Sequence, residues 1–223
     1  MSAVPARIGT MPTHPLEVCV EVAPKKAFAS ALDWPGWCRA GRDADAALAA
    51  LADYADRYAE VAKTAGVAFP NRFSFEVVEQ VPGGATTAFG APEITAAAER
   101  LPVTAAAATR IASLATAAWT VFDGVVAESP AELRKGPRGG GRDRDGVVAH
   151  VIEAERSYAR KIGVRHRPFH GDQAAVEACR SEVEHVLRAA RSGEPMPGWP
   201  ARYFLRRAAW HVLDHVWEIE DKS

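Results

Sequence analysis

Cysteine is scarce in this chain: Cys19, Cys38 and Cys179 are the only three among 223 residues. An odd number at such wide spacing argues against a disulfide framework, and no Cys-x-x-Cys pair is present to clamp zinc. A reducing cytoplasm is the compartment this implies. An excess of charge of either sign is also missing. The 27 basic and 28 acidic residues leave a formal net charge of -1. They are interspersed, so the chain has no overall field to hold nucleic acid or an anionic membrane. The opening residues MSAVPARIGTMPTHP lack the basic segment and apolar run of a secretory leader. No uninterrupted apolar stretch reaches membrane-spanning length. Lysine is sparse beside arginine and alanine, which reads as genomic base composition.

What is present is the profile of an ordinary globular chain, 48% hydrophobic and 25% charged, long enough for one large domain or two small ones. The organisation comes from periodicity. Leu16, Val18, Val20 and Val22 alternate with Glu17, Cys19 and Glu21, the pattern of a half-buried strand. A second strand is predicted over Ala27 to Leu32, a turn at Asp33-Trp34-Pro35-Gly36 and a short third strand from Trp37 to Ala40. Asp43 is placed to cap a helix with the stripe Leu48, Leu51, Ala55, Tyr58, Val61 and Ala62, which Gly66 would end. Phe73, Phe75 and Val77 form a fourth strand. Residues 82–102, with Pro82-Gly83-Gly84, Gly90 and Pro92, read as a linker carrying a short helix near Ala96.

Beyond the linker every segment has helical period. The stripes are Ile111, Leu114, Ala118, Phe122 and Val125; Val147, Val151, Tyr158 and Ile162; Val176, Cys179, Val183, Val186 and Ala190; and Phe204, Ala208, His211, His215 and Ile219. The predicted fold class is therefore α+β. A β-β-β-α-β domain over residues 14–81 is followed by an up-and-down four-helix bundle over residues 103–223.

The last helix carries His211 and His215 four residues apart, so both imidazoles lie on one face a turn apart, and that face is the apolar stripe. His150 falls on the inward face of the second bundle helix with Val147, Val151 and Ala154. A bundle can bring a third imidazole to the same point, and three nitrogen ligands would leave open positions on a divalent metal, as catalytic sites do. The same spacing also suits core histidines satisfied by hydrogen bonds, and both readings stay open on the residues alone. Glu153, Asp214 and Glu218 lie within a turn of the histidines and are candidates for an extra ligand or for fixing the imidazole tautomers.

From about Thr104 onward the sequence resembles the DinB-like superfamily, which takes in YfiT-type proteins, mycothiol-dependent maleylpyruvate isomerases and bacillithiol transferases. The residues that carry the resemblance are Gly146-Val-Val-Ala-His150-Val-Ile-Glu-Ala-Glu-Arg156 after a Gly/Arg-rich loop, and Arg207-Ala-Ala-Trp-His211-Val-Leu-Asp-His215-Val-Trp-Glu218. The resemblance implies that His150, His211 and His215 bind a divalent metal, zinc or nickel. It also implies frequent dimerisation and chemistry on a small-molecule substrate through a low-molecular-weight thiol. No substrate motif beside the triad accompanies it.

In the N-terminal half, Ala31-Leu-Asp-Trp-Pro-Gly-Trp-Cys-Arg-Ala-Gly41 followed by Asp43-Ala-Asp-Ala-Ala-Leu-Ala-Ala-Leu51 resembles a HicB-like antitoxin domain. That resemblance implies partner binding or oligomerisation. The antitoxin's DNA-binding appendage has no counterpart here, because the helical half stands in its place.

The run Arg134-Lys-Gly-Pro-Arg-Gly-Gly-Gly-Arg-Asp-Arg144 concentrates positive charge before the His150 helix. It reads as a solvated loop or as a grip for an anionic substrate; no phosphate-cradling GxxxxGK[ST] is present. Trp210 and Trp217 flank the histidines and are candidates to wall a pocket. The function expected is a metal-dependent thiol S-transferase, isomerase or hydrolase. The alternative is a non-enzymatic module whose HicB-like domain recruits a partner.

Overall fold

A computed structural model describes residues 14–137, 139–189 and 198–223. The opening residues 1–13, Arg138 of the basic run and Ala190 of the third bundle stripe lie outside the described residues. The molecule is α+β, with a four-stranded sheet at its N-terminal end and a bundle of four long helices after it.

Strands β1 (His14–Ala23), β2 (Lys26–Ala31), β3 (Cys38–Gly41) and β4 (Phe73–Pro82) are ordered β3-β2-β1-β4. β1 and β2 form a hairpin, β3 continues antiparallel, and β4 returns parallel to β1. A parallel return needs a crossover, and helices α1 (Ala44–Asp53) and α2 (Ala55–Thr64) supply it. The predicted alternation sorts the side chains of β1. Val18 and Val20 join Ala27, Ala29 and Ala31 in the main core, while Cys19 and Glu21 face the other side. Pairing of β1 with β4 slips between Val18 and Cys19, and Val77 and Val78 are both left exposed on an outer strand.

Asp43 caps α1 as expected, its carboxylate accepting from the Ala46 amide at 2.8 Å, and Gly66 follows α2 at φ +67°. The single helix expected between them is two, meeting at Tyr54 with φ -96° and ψ 6°. Tyr54 packs edge-on to Trp217 at 4.9 Å and holds the Arg39 guanidinium 3.9 Å above its ring. A tertiary contact has overridden local helix propensity there.

Residues 82–102 hold helix α3 (Ala85–Phe89) and a 3-10 turn, Ala97–Arg100. They cover the second face of the sheet. The buried Glu21 carboxylate accepts from the Thr87 hydroxyl and from the Glu93 and Ile94 amides at 3.1 Å, so these turns are tied to β1 by charge-assisted hydrogen bonds.

The bundle consists of α4 (Ala105–Glu128), α5 (Arg144–Ala159), α6 (Gln173–Ala189) and α7 (Ala201–Lys222). α4 packs on α6 and α7, and α5 packs on the same two. The Arg134 amide bonds to the Lys222 carbonyl and the Arg144 side chain to the Ser129 carbonyl. These bonds gather the C-terminal ends of α4 and α7 with the start of α5. The start of α6 shares a groove with Val126 of α4 and Asp145 of α5, so the helices run up, down, down, up and not in the alternating up-and-down order expected. The return from α5 to α6 needs a long connection. Residues 163–172 suffice, since ten extended residues span about 33 Å and the 16 residues of α5 rise about 24 Å. Among the described residues α4 is the one helix long and apolar enough to cross a bilayer, and its alanine-rich inner face is packed in the bundle.

α7 is buried along most of its length, charged residues such as Arg206 and Arg207 included, and is the element that both halves share. Gly36, at φ +91° in the predicted turn, sits where an added Cβ would lie 2.8 Å from Leu213 Cδ1 and 2.9 Å from Ala209 Cβ. Only glycine lets the turn approach α7 this closely. Trp37 donates to the Leu51 carbonyl and Tyr58 to the Pro35 carbonyl, which locks the turn from the helix side. One hydrophobic core runs from the sheet through this joint into the bundle.

Candidate metal centre

His150 is presented by α5, and His211 and His215 by successive turns of α7. The packing of these two helices brings all three together. One ring nitrogen from each lies within 4.8 Å of the others, with ring centroids 5.0, 5.0 and 4.8 Å apart. His150 Nε2 and His211 Nε2 face each other at 3.2 Å. Two nitrogens on a tetrahedral zinc, each at its usual bond length, stand about 3.3 Å apart, so this edge has the spacing a shared cation requires.

The protonation chemistry also suits a cation. Burial pushes the His211 imidazole down to about 3, assisted by His215, His150, Arg207 and Arg142. His150 is lowered as well, by burial first and then by His215 and Arg142. Both rings are therefore neutral near neutral pH and keep a lone pair free to bind. His215 Nδ1 is 2.6 Å from Glu218 Oε2, and Glu218 also accepts from Lys222. A carboxylate at Nδ1 fixes the proton there and turns Nε2 towards the other histidines. His211 Nδ1 is buried with no acceptor among the described residues.

Of the three carboxylates expected to serve the histidines, only Glu218 does. Asp214 turns the other way and pairs with Arg39 of β3 at 2.7 Å. Glu153 pairs with Arg156 of its own helix at 2.7 Å. Spacing alone does not sort them, since Asp214 follows His211 and Glu153 follows His150 by the same three positions that separate Glu218 from His215. What sorts them is the cation each one meets, Arg39 for Asp214 and Arg156 for Glu153. Trp210 and Trp217 are both buried. Trp217 packs on Tyr54, and Trp210 lies edge-on to Phe28 at 5.8 Å with its other side 6.1 Å from His211. The three cysteines are buried, and burial raises Cys19 to about 12 and Cys38 and Cys179 to about 11, so none is a thiolate nucleophile.

Two residues that sequence pattern places on the helices but does not mark as part of the site complete the surroundings. Tyr158 stands edge-on to His211 at 5.8 Å, and the Arg207 guanidinium lies over both Tyr158 and Trp210, at 5.2 and 4.8 Å. A groove of about 840 Å³ between α4, α5 and the start of α6 is lined by Val148, Ile152 and Phe169 among others, on the face of α5 opposite His150. Comparison with protein-family models, curated proteins and solved structures returns no match to this chain.

Proposed function

We propose that this chain is a divalent-metal-dependent enzyme of the thiol S-transferase, isomerase or hydrolase kind, a DinB-like bundle acting on a small molecule in the cytoplasm. The observation that carries the reading is the convergence of one nitrogen each from His150, His211 and His215, two of them neutralised by burial. Zinc or nickel held there would supply Lewis acidity that brings a coordinated thiol or water towards neutral pKa. The protein's own part is to orient the rings: Glu218 holds His215, and the α5–α7 packing holds His150 against His211. The half-buried His150 and the exposed Arg142 mark the side from which a substrate and a thiol would enter. Buried free thiols suit a reducing compartment, and dimerisation follows from the same resemblance.

A second reading has an observation in its favour. β4 is an outer strand of ten residues with Val77 and Val78 exposed, the kind of edge to which a partner adds a strand. In that reading the HicB-like half recruits a partner and any metal is structural.

Elemental analysis of protein purified without an affinity tag tests the leading proposal. About one zinc or nickel per chain is expected from three converging ligands, and the double variant His211→Ala, His215→Ala should lose it. A metal-free wild type that also fails to take up added zinc or nickel would sink the enzyme reading and leave the binding module.

A further inference from the structure

Arg207 is only 9% exposed, yet no hydrogen bond or ion pair is found for it among the described residues, and its Nη1 is fully enclosed. The other buried arginines are paired: Arg206 with Glu99, and Arg180 with Glu155 and Asp123. A guanidinium does not give up its proton in proteins, so burial leaves its charge in place. Aromatic faces at 4.8 and 5.2 Å soften that charge without satisfying its N–H donors.

Its position gives the orphaned charge a direction. Arg207 precedes His211 by four residues, on the same face of α7. Tyr158 and Trp210, the rings beneath Arg207, are also rings that flank His211. The charge balance points the same way. Arg207 and Arg142 both act on His211, and the proposed dication would add to them. Against this, Glu218 is the single carboxylate that touches the three histidines among the described residues, and Lys222 shares it. Asp214 is taken by Arg39 and Glu153 by Arg156. A site so composed lacks an anion.

We propose that Arg207 is a carboxylate-binding subsite, so that the ligand of this centre is a small carboxylate whose acid group sits on Arg207 while its far end reaches the metal. The inference rests on the metal reading above. A carboxylate fits because the guanidinium offers parallel N–H donors in one plane, the geometry of bidentate pairing, and the aromatic rings beside it offer no acceptor for them.

The test uses the full chain loaded with cobalt(II), whose visible spectrum reports a thiol joining the metal. Thioglycolate is compared with its uncharged amide, two thiols that differ only at the far end. Wild type should bind thioglycolate at least about tenfold more tightly, the effect of a charge-assisted hydrogen bond. Arg207→Gln should lose that preference, Arg207→Lys should keep part of it, and Arg142→Gln should leave it in place. Equal affinities in wild type would overturn the proposal even if no variant folds. So would a preference that survives Arg207→Gln or follows Arg142. Cobalt binding without discrimination removes the carboxylate subsite alone, whereas failure to bind cobalt removes the metal reading and the subsite together.

Discussion

Arg206 and Arg207 are neighbours on one helix, 3% and 9% exposed, and they are treated in opposite ways. Arg206 donates to both oxygens of Glu99, at 2.5 and 3.1 Å, and to the Ile94 carbonyl at 2.7 Å. It faces the sheet and clamps the 82–102 segment to α7. Arg207, turned roughly 100° around the helix, lies towards the histidines and has aromatic rings but no acceptor among the described residues. Burial thus serves different ends at the two positions. A satisfied buried charge fixes how the two halves sit together, and an unsatisfied one marks a place where the fold has left a requirement for something else to meet.

Removing the partner of Arg206 should give the largest effect. Glu99→Ala leaves a guanidinium buried at 3% exposure with only a carbonyl and a distant hydroxyl, and breaking a buried pair from one side costs about 3–5 kcal/mol. Urea unfolding of the two proteins measures it. The double replacement Arg206→Met, Glu99→Leu should recover most of that loss, because the penalty lies in the unpaired charge. A loss below about 1 kcal/mol in the single variant would mean that the clamp is looser than its distances suggest, and would blur the contrast between the two arginines.

The histidine side should answer to pH where the Arg206 side does not. In the metal-free chain His211 is held at about 3, well below its ordinary 6.5, by burial and by His215, His150, Arg207 and Arg142. Between those values the unfolded chain binds a proton that the folded chain refuses. Stability from this group is therefore complete above about pH 6.5 and falls as pH drops towards 3, by about 1.4 kcal/mol per pH unit. His150 is shifted in the same direction and steepens the fall. Comparing urea midpoints at several pH values for wild type and His211→Asn checks this. The variant should show the shallower slope, and equal slopes would show that His211 is not held neutral by the fold.

These contrasts were unevenly legible in the sequence. The histidines could be read because a four-residue spacing on an apolar stripe is local information, and the stripe of α5 put His150 on the facing side. β1 was legible through its alternation, and Asp43 and Gly66 through the chemistry of helix ends. The break at Tyr54 was not, since its cause is Trp217, far along the chain. The 82–102 segment read as a linker because glycine and proline hide the fact that Glu99 and Glu93 are held by α7 and β1. The clearest case is the pair of arginines, identical in type and adjacent in sequence. Which of them meets a carboxylate depends on a residue more than a hundred positions away, and no local pattern encodes that.

The smallest predicted effect is the one that separates them most directly. Methionine keeps an unbranched apolar stem like that of arginine, though a shorter one, and discards the charge. At position 206 that exchange strands Glu99 and should destabilise. At position 207 it removes a buried charge for which no acceptor is found among the described residues, giving up the guanidinium's contact with the Tyr158 and Trp210 rings while leaving an apolar side chain beside them. Arg207→Met should therefore raise the stability of the metal-free chain by about 1 kcal/mol, opposite in sign to Arg206→Met. Urea midpoints at neutral pH give both numbers on one scale. If both variants fall together, Arg207 is held by the fold for its own sake and the unsatisfied donor loses its meaning. If they diverge in sign, the chain retains at Arg207 a charge that its folding would be better without, which is how residues kept for a ligand behave.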